Sequence, residues 1–77
     1  MNTIQILLNT IDKVKSFNRD ILFFDSDIDL VQGRYTVDGK SIMGIFSLNL
    51  SEPIKVIIYE ENGELDSIIE KLKAYAV

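Results

Sequence analysis

The spacing of apolar residues changes several times along the chain, and each spacing predicts one element of secondary structure. In residues 3–9 every second position from Ile4 to Leu8 is apolar, which is typical of a strand. Apolar residues then recur at intervals of three and four, which predicts a helix with one buried stripe. The stripe comprises Ile11, Val14, Phe17, Ile21 and Phe24. Asn9 or Thr10 is suited to cap the start of this helix.

After the helix the spacing changes to two, which predicts a half-exposed strand and a hairpin. Ile28 and Leu30 point to one side of the strand, and the aspartates that alternate with them point to the other. Gln32-Gly33 predicts a tight turn, and residues 34–37 then form the returning strand.

Ser41 begins a short apolar segment that predicts a second helix, ending near Leu48. Serine is preferred just before the first helical residue, where its hydroxyl accepts a backbone N–H. Gly39, in the preceding turn, gives the backbone freedom to enter the helix. Asn49 tolerates the left-handed conformation that ends many helices. Met43 is expected at the edge of the helix, partly exposed beside Ser41.

The C-terminal part of the chain predicts one more strand, over residues 54–60, and a last helix with an apolar stripe from Leu65 to Leu72. The element order is therefore β-α-β-β-α-β-α. We predict an α+β fold in a single domain, residues 1–77: a four-stranded antiparallel sheet with three helices on one face. The predicted core consists of Ile6, Leu8, Val14, Phe17, Ile21, Ile28, Leu30, Ile45, Val56, Ile58, Ile68 and Leu72.

Composition limits the chemistry of which the chain is capable. Its 77 residues include no cysteine and no histidine, so thiol and imidazole nucleophiles and zinc–thiolate sites are excluded. Residues 25–29, DSDID, lack the glycine and the glutamate that a calcium loop needs at its sixth and twelfth positions. We therefore predict no metal site and no cofactor.

Charge and hydropathy limit the partners and the location. The formal net charge is −4 and the basic residues are scattered singly, so binding to nucleic acid or to an anionic membrane is not expected. The N-terminus lacks the pattern of a signal peptide, and no apolar run is long enough to span a bilayer. These features predict a cytoplasmic protein.

The segment DSDIDLVQGRYTVDGKSIMGIFSL, residues 25–48, resembles the central region of HPr, the phosphocarrier family of the bacterial sugar phosphotransferase system. That family has a strand with an acidic start, a hairpin, and then a K-S-I-M-G-x-x-S-L motif that opens its second helix. The matching positions are Lys40, Ser41, Ile42, Met43, Gly44, Ser47 and Leu48. The resemblance covers roughly residues 10–77 and implies the HPr-like open-faced β-sandwich.

The chain departs from that family at the phosphoryl acceptor. In the family a histidine begins the first helix and an arginine follows two positions later. The resemblance places Thr10 at the histidine position and Asp12 at the arginine position. A carboxylate in place of a guanidinium repels a phosphoryl group, and a threonine without an activating base is a weak acceptor. In this respect the chain is similar to histidine-less catabolite-repression members of the family.

Ser41 has two compatible interpretations. Serine at this position caps a helix, and replacement by alanine typically costs about 1 kcal/mol. The resemblance also implies phosphorylation, because the family's regulatory kinase modifies the serine at this position. The resemblance further implies that the adjacent helix binds partner proteins, which predicts an apolar contact surface. That surface comprises Ile42, Met43, Phe46 and Leu48. The alternative is that a small protein needs these side chains for its core.

The leading hypothesis is a non-enzymatic, HPr-like regulatory or docking protein that acts through Ser41 and the adjacent helix. Its expected partners are proteins: a serine kinase or phosphorylase, and a regulatory partner. Two alternatives stay open. One is a structural or oligomerisation module with the HPr fold and no phosphorylation role. The other is a phosphocarrier that uses an acceptor other than histidine, such as Thr10.

Overall fold

The computed structural model describes residues 2–77 and contains four strands and three helices within them. In chain order these are β1 (Asn2–Ile6), α1 (Ile11–Ile21), β2 (Asp27–Gln32), β3 (Tyr35–Asp38), α2 (Ile42–Phe46), β4 (Ile54–Tyr59) and α3 (Leu65–Leu72). This is the order predicted from the apolar spacing. Over the described range, no helix has the length and apolar character needed to cross a bilayer.

The strands form one antiparallel sheet in the order β1-β4-β2-β3. The connection between β2 and β3 is a hairpin, whereas β4 enters between β1 and β2 and so joins the two halves of the sheet. In this register Leu30 lies opposite both Val37 and Val56, and Ile28 lies opposite Ile58. Their side chains therefore share one face of the sheet, on which the three helices pack. The predicted α+β architecture is confirmed.

The core lies between this face and the helices. All the core residues predicted from the sequence are buried, none with more than 1% of its surface exposed. Ile54, Leu48 and Tyr75 join them in the same cluster. Two helical stripes and alternating strands were sufficient to predict these positions because a small domain has only one apolar face per element to bury.

Predicted boundaries are wrong at the first strand, the first helix and the hairpin. β1 ends at Ile6, whereas the apolar spacing predicted a strand over residues 3–9. α1 ends at Ile21, and Phe24 lies half-buried in the turn that follows, where its backbone N–H donates to the Ile21 carbonyl at 3.1 Å. The hairpin turn is Gly33-Arg34 instead of Gln32-Gly33. Gly33 has a φ of +60°, which fits a two-residue hairpin loop and shifts the returning strand by one residue.

The end of the second helix also differs from the prediction. α2 ends at Phe46, and Asn62, not Asn49, is the one non-glycine residue within 2–77 with a positive φ. Ser47, still right-handed, follows the helix and returns to it: its hydroxyl donates to the Gly44 carbonyl at 2.6 Å and its N–H to the same oxygen at 3.1 Å. These bonds satisfy a terminal carbonyl, so no left-handed residue is needed.

A feature that the apolar pattern did not predict is the C-terminal segment, residues 75–77, beside β1. The Leu7 N–H donates to the Tyr75 carbonyl at 2.9 Å, and the Val77 N–H donates to the Gln5 carbonyl at 3.2 Å. The Tyr75 ring packs edge-on against Phe17, with 5.8 Å between ring centroids. This segment partly covers the outer edge of β1, but it is too short to produce a recognisable period.

Candidate functional site

Ser41 lies at the N-terminus of α2, as predicted. Its backbone is extended, with φ −96° and ψ 106°, and its hydroxyl oxygen accepts a hydrogen bond from the Gly44 N–H at 3.2 Å. The Ser41 carbonyl accepts the first intrahelical bond, from the Ile45 N–H at 3.0 Å. The side chain is exposed. Ser41 is therefore a capping residue whose hydroxyl faces solvent.

Gly39 positions this N-terminus, but for a reason different from the one predicted. It is buried, and its N–H donates to the Ile28 carbonyl at 2.7 Å. A Cβ atom built on it would lie 2.9 Å from the same oxygen and 3.0 Å from the Ile28 Cγ2. Glycine is thus required because the backbone approaches β2 closely. The φ of Gly39 is not positive, so conformational freedom is not the reason.

Lys40, which lies between Gly39 and Ser41, is held in place by three hydrogen bonds. Its N–H donates to the Asp38 carboxylate at 2.9 Å, and its carbonyl accepts from the Asn18 side chain at 3.0 Å. Its ammonium donates to the Phe24 carbonyl at 2.6 Å. The entry to α2 is therefore held against the C-terminal half of α1 and the turn after it. Asn18 was not identified from the sequence, because an asparagine on a helix gives no signal of a tertiary bond.

The apolar side chains of α2 divide between core and surface. Ile45 is completely buried and Ile42 is half-buried, so both face the sheet side of the helix. Met43 is 75% exposed and Phe46 is 39% exposed. We call Met43, Phe46 and the outer part of Ile42 the α2 surface. It is available for contact with another molecule.

Leu48 does not belong to this surface, and its predicted role in partner binding needs correction. Only 8% of it is exposed, and it is part of the core cluster. The reason is the early end of α2 at Phe46. The chain turns after that residue, and its Leu48 N–H donates to the Ile45 carbonyl at 3.1 Å, which brings the leucine beneath the helix.

Thr10 and Asp12, at the positions where the resemblance places a histidine and an arginine, lie exposed at the start of α1. The Thr10 hydroxyl caps the helix by accepting a bond from the Lys13 N–H at 3.1 Å. Asn18, which contacts the entry to α2, lies eight residues further on, about 12 Å along the helix axis. Thr10 and Ser41 therefore lie near opposite ends of α1.

A polar cluster that the sequence did not predict supports the turn bound by Lys40. The Glu64 carboxylate accepts bonds from the Ser26 N–H at 2.9 Å, the Ser26 hydroxyl at 2.8 Å and the Asp25 N–H at 3.1 Å. Partial desolvation alone would raise the pKa of Glu64, but these bonds and the charge of Lys40 outweigh it and lower that pKa. The cluster joins the loop after α1 to the start of α3.

No other group in the described residues has the geometry of a catalytic or metal centre. Within residues 2–77 no three acidic side chains converge as metal ligands. An open cavity of about 590 Å³ lies between the turn after α1 and α3, lined in part by Phe23, Ser67 and Lys71. Glu64 also lines this cavity, but its carboxylate already accepts the hydrogen bonds described above. None of the predicted site residues borders this cavity.

Comparison with solved structures identifies the fold. The phosphocarrier protein HPr of Bacillus anthracis superposes with a TM-score of 0.73 and 26% identity, covering 99% of this chain and 94% of that one. HPr-C-His of Thermoanaerobacter tengcongensis gives a TM-score of 0.76 and 22% identity, covering 96% and 93%. The chain has the HPr fold. The histidine-containing phosphocarrier protein of a Mycoplasma, at 14% identity, also shares the HPr fold, with a TM-score of 0.77 over 95% of this chain and 89% of that one.

Comparison of the sequence gives no match, either to a protein-family model or to a curated protein. On the HPr fold, the structure brings Ser41 together with Met43 and Phe46 at α2 and leaves Thr10 and Asp12 at the start of α1. The structural neighbours are described as phosphocarriers, whereas this chain contains no histidine. The chain therefore shares the fold of these proteins but lacks the histidine that the Mycoplasma protein contains.

Proposed function

We propose that the chain is an HPr-like regulatory or docking protein of the phosphotransferase type, without histidine phosphocarrier activity and without enzymatic activity of its own. It acts in the cytoplasm through Ser41 and the α2 surface. The observation that carries this proposal is the exposed Ser41 hydroxyl beside Met43, 75% exposed, in an HPr fold that contains no histidine. Its partners are proteins, among them a serine kinase or phosphorylase.

The start of α1 is unsuited to carry a phosphoryl group. Among the described residues, no base accepts a hydrogen bond from the Thr10 hydroxyl, which instead accepts from the Lys13 N–H. Asp12 in the same turn would repel a dianionic phosphoryl group. The Lys13 ammonium is the nearest cation along the chain, and it donates to the Asn9 side chain at 3.2 Å.

The N-terminus of α2 is better suited to a modification. A phosphate on Ser41 adds a charge of about −1.5 to −2 and keeps oxygens that can accept the Gly44 N–H. The helix entry stays fixed by bonds from Lys40 and Asn18 that do not involve the Ser41 side chain. Phosphorylation therefore changes the charge beside the α2 surface and leaves the fold intact.

Partner capture tests this function. Ser41→Asp and Ser41→Ala, immobilised in parallel, are expected to retain different sets of proteins from the cell of origin, because a negative charge at this position changes what the α2 surface accepts. Met43→Ser should weaken capture of the shared partners about tenfold, because a methionine side chain that becomes buried on binding contributes roughly 1.5–3 kcal/mol. Quantitative mass spectrometry of the retained proteins is the measurement.

Ser67→Asp is the matched control, because Ser67 is exposed on α3 and its replacement adds the same charge elsewhere. It should retain the same proteins as the unmodified chain. If all four variants retain one common set, a structural or oligomerisation module with the HPr fold becomes the better description.

A further inference from the structure

The face of the sheet opposite the helices carries an uneven set of side chains. Because strand residues alternate between faces, the neighbours of the buried Ile28, Leu30, Val56 and Ile58 point away from the core. In the described residues all three helices pack on the other face, so these side chains meet solvent. They form an acidic group at one end of the face and an apolar strip at its centre.

Asp27, Asp29 and Asp38 form the acidic group. Asp29 on β2 lies directly opposite Asp38 on β3, and like charges directly opposite each other destabilise a sheet. Asp38 accepts a bond from the Lys40 N–H at 2.9 Å, a neutral donor. Lys73 with Glu70 is the one ion pair within 4.0 Å in the range 2–77. None of the three aspartates therefore has a lysine or arginine at contact distance.

Val31, Ile57 and Tyr59 form the apolar strip. Ile57 on β4 lies opposite Asp29, and Tyr59 lies opposite Asp27. Val31 and Ile57 are half-buried among their neighbours, and Tyr59 is 39% exposed. The aromatic ring therefore stands beside two carboxylates. Lys55, opposite Val31, ends the acidic part of the face.

We infer that this sheet face binds a basic, extended segment of another protein in which arginines and apolar residues lie on the same side of the segment. A guanidinium can bridge Asp29 and Asp38 and stack on the Tyr59 ring, as carboxylates and aromatic faces both attract it. An extended segment points every second side chain to the same side, so arginines and apolar residues two positions apart face the sheet together. The apolar side chains then cover Val31 and Ile57.

Charge complementarity decides between the occupants of this face. The chain has a net charge of −4, so nucleic acid and anionic lipid are repelled. A second copy in a symmetric, face-to-face contact would bring two sets of aspartates together. A cationic segment instead neutralises carboxylates that have no lysine or arginine partner within residues 2–77.

The test uses a fluorescent peptide whose odd positions are arginine and leucine in turn, with three arginines in all, and whose even positions are serine. Binding is measured by fluorescence anisotropy at about 0.15 M salt, where distant charges are screened. Asp29→Asn with Asp38→Asn removes the facing carboxylates, and the amide oxygen at position 38 can still accept the Lys40 N–H. Glu52→Gln with Asp66→Asn is the matched control, because it removes the same net charge from exposed positions outside this face.

Asp29→Asn with Asp38→Asn should bind the peptide about tenfold more weakly than the unmodified chain, and binding to the control should weaken by less than about twofold. Amide chemical shifts of the unmodified chain should change most at Val31, Ile57 and Tyr59 on addition of peptide. This second measurement does not depend on the folding of any variant. Equal weakening in both variants, no binding, or shift changes centred on α1 and α2 would overturn the inference.

Discussion

Ser26 and Tyr75 show how single hydroxyl groups hold this small fold together. The Ser26 side chain is completely buried and accepts a bond from the Glu61 N–H at 2.9 Å while it donates to Glu64. The Tyr75 hydroxyl donates to the Asp20 carboxylate at 2.8 Å. Each hydroxyl joins segments far apart in sequence, so each stabilises tertiary structure instead of one element.

Replacing Ser26 by alanine should lower the free energy of unfolding by about 1–3 kcal/mol, because the Glu61 N–H loses its acceptor and Glu64 loses a donor. Urea unfolding at neutral pH measures the change. Ser67→Ala, at an exposed serine of α3, is the control and should change stability by less than about 0.5 kcal/mol. Equal stability of the two variants would show that the Ser26 network adds nothing.

Tyr75 is expected to make the free energy of unfolding fall as the pH rises into the alkaline range. Burial, and then the bond to Asp20 and the charge of that carboxylate, raise the pKa of Tyr75 to about 12. An unfolded tyrosine ionises near pH 10, so between about pH 10 and 12 unfolding releases a proton and stability falls as the pH rises. Tyr75→Phe should lower the unfolding free energy by about 1.5–3 kcal/mol at pH 7.

The same variant should lose this alkaline dependence, so that its difference from the unmodified chain narrows above pH 10. Urea unfolding at pH 7 and at pH 11 measures both effects. Tyr35→Phe, at an exposed position on β3, is the control. A constant difference between the unmodified chain and Tyr75→Phe at both pH values would contradict the assignment to the Tyr75 hydroxyl.

At the scale of the elements, α2 is placed by what precedes it. The helix has only five residues, Ile42–Phe46, so its position depends on tertiary contacts more than on its own hydrogen bonds. Gly39 provides one of these contacts, because its N–H donates to the Ile28 carbonyl at 2.7 Å. The position of Ser41 and Met43 therefore depends on the contact between Gly39 and β2.

Gly39→Ala should destabilise the protein by about 1–3 kcal/mol, because its Cβ would lie 2.9 Å from a backbone oxygen that cannot move freely. Thermal unfolding followed by circular dichroism provides the measurement. Met43→Ala is the control, since Met43 is exposed and alanine is a good helix former. If Gly39→Ala unfolds at the same temperature as the control, the close approach does not position α2.

The elements also show which structural features the sequence patterns can predict. Spacing predicted every helix and strand and the core, because burial leaves a period in the sequence. Serine before an apolar run predicted the Ser41 cap. Element ends were less predictable: Leu48 was assigned to the surface because nothing in the pattern marked the end of α2 at Phe46. The bond from Asn18 to Lys40 and the Glu64 cluster have no period at all, since each joins isolated polar residues.

At the scale of the whole molecule, the HPr fold presents two faces of different character. The helix face carries Ser41 and the α2 surface. The open sheet face carries, around Tyr59, carboxylates with no cationic partner in the part of the chain that the structure describes. The proposed regulatory role uses the first face, and the inferred basic partner uses the second. The two can be tested separately, because the Ser41 and Met43 variants lie outside the sheet face, and Asp38→Asn keeps an oxygen that can accept the Lys40 N–H at the entry to α2.

Phosphoryl transfer is the most direct test of the central claim, that the chain is phosphorylated at Ser41 and does not accept a phosphoryl group from enzyme I. One reaction contains phosphoenolpyruvate and enzyme I, and the other contains ATP and an HPr serine kinase. Intact-mass spectrometry should detect one phosphate per chain in the second reaction, absent from Ser41→Ala, and none in the first. Phosphate acquired from phosphoenolpyruvate, or no Ser41 phosphate from ATP, would contradict the account.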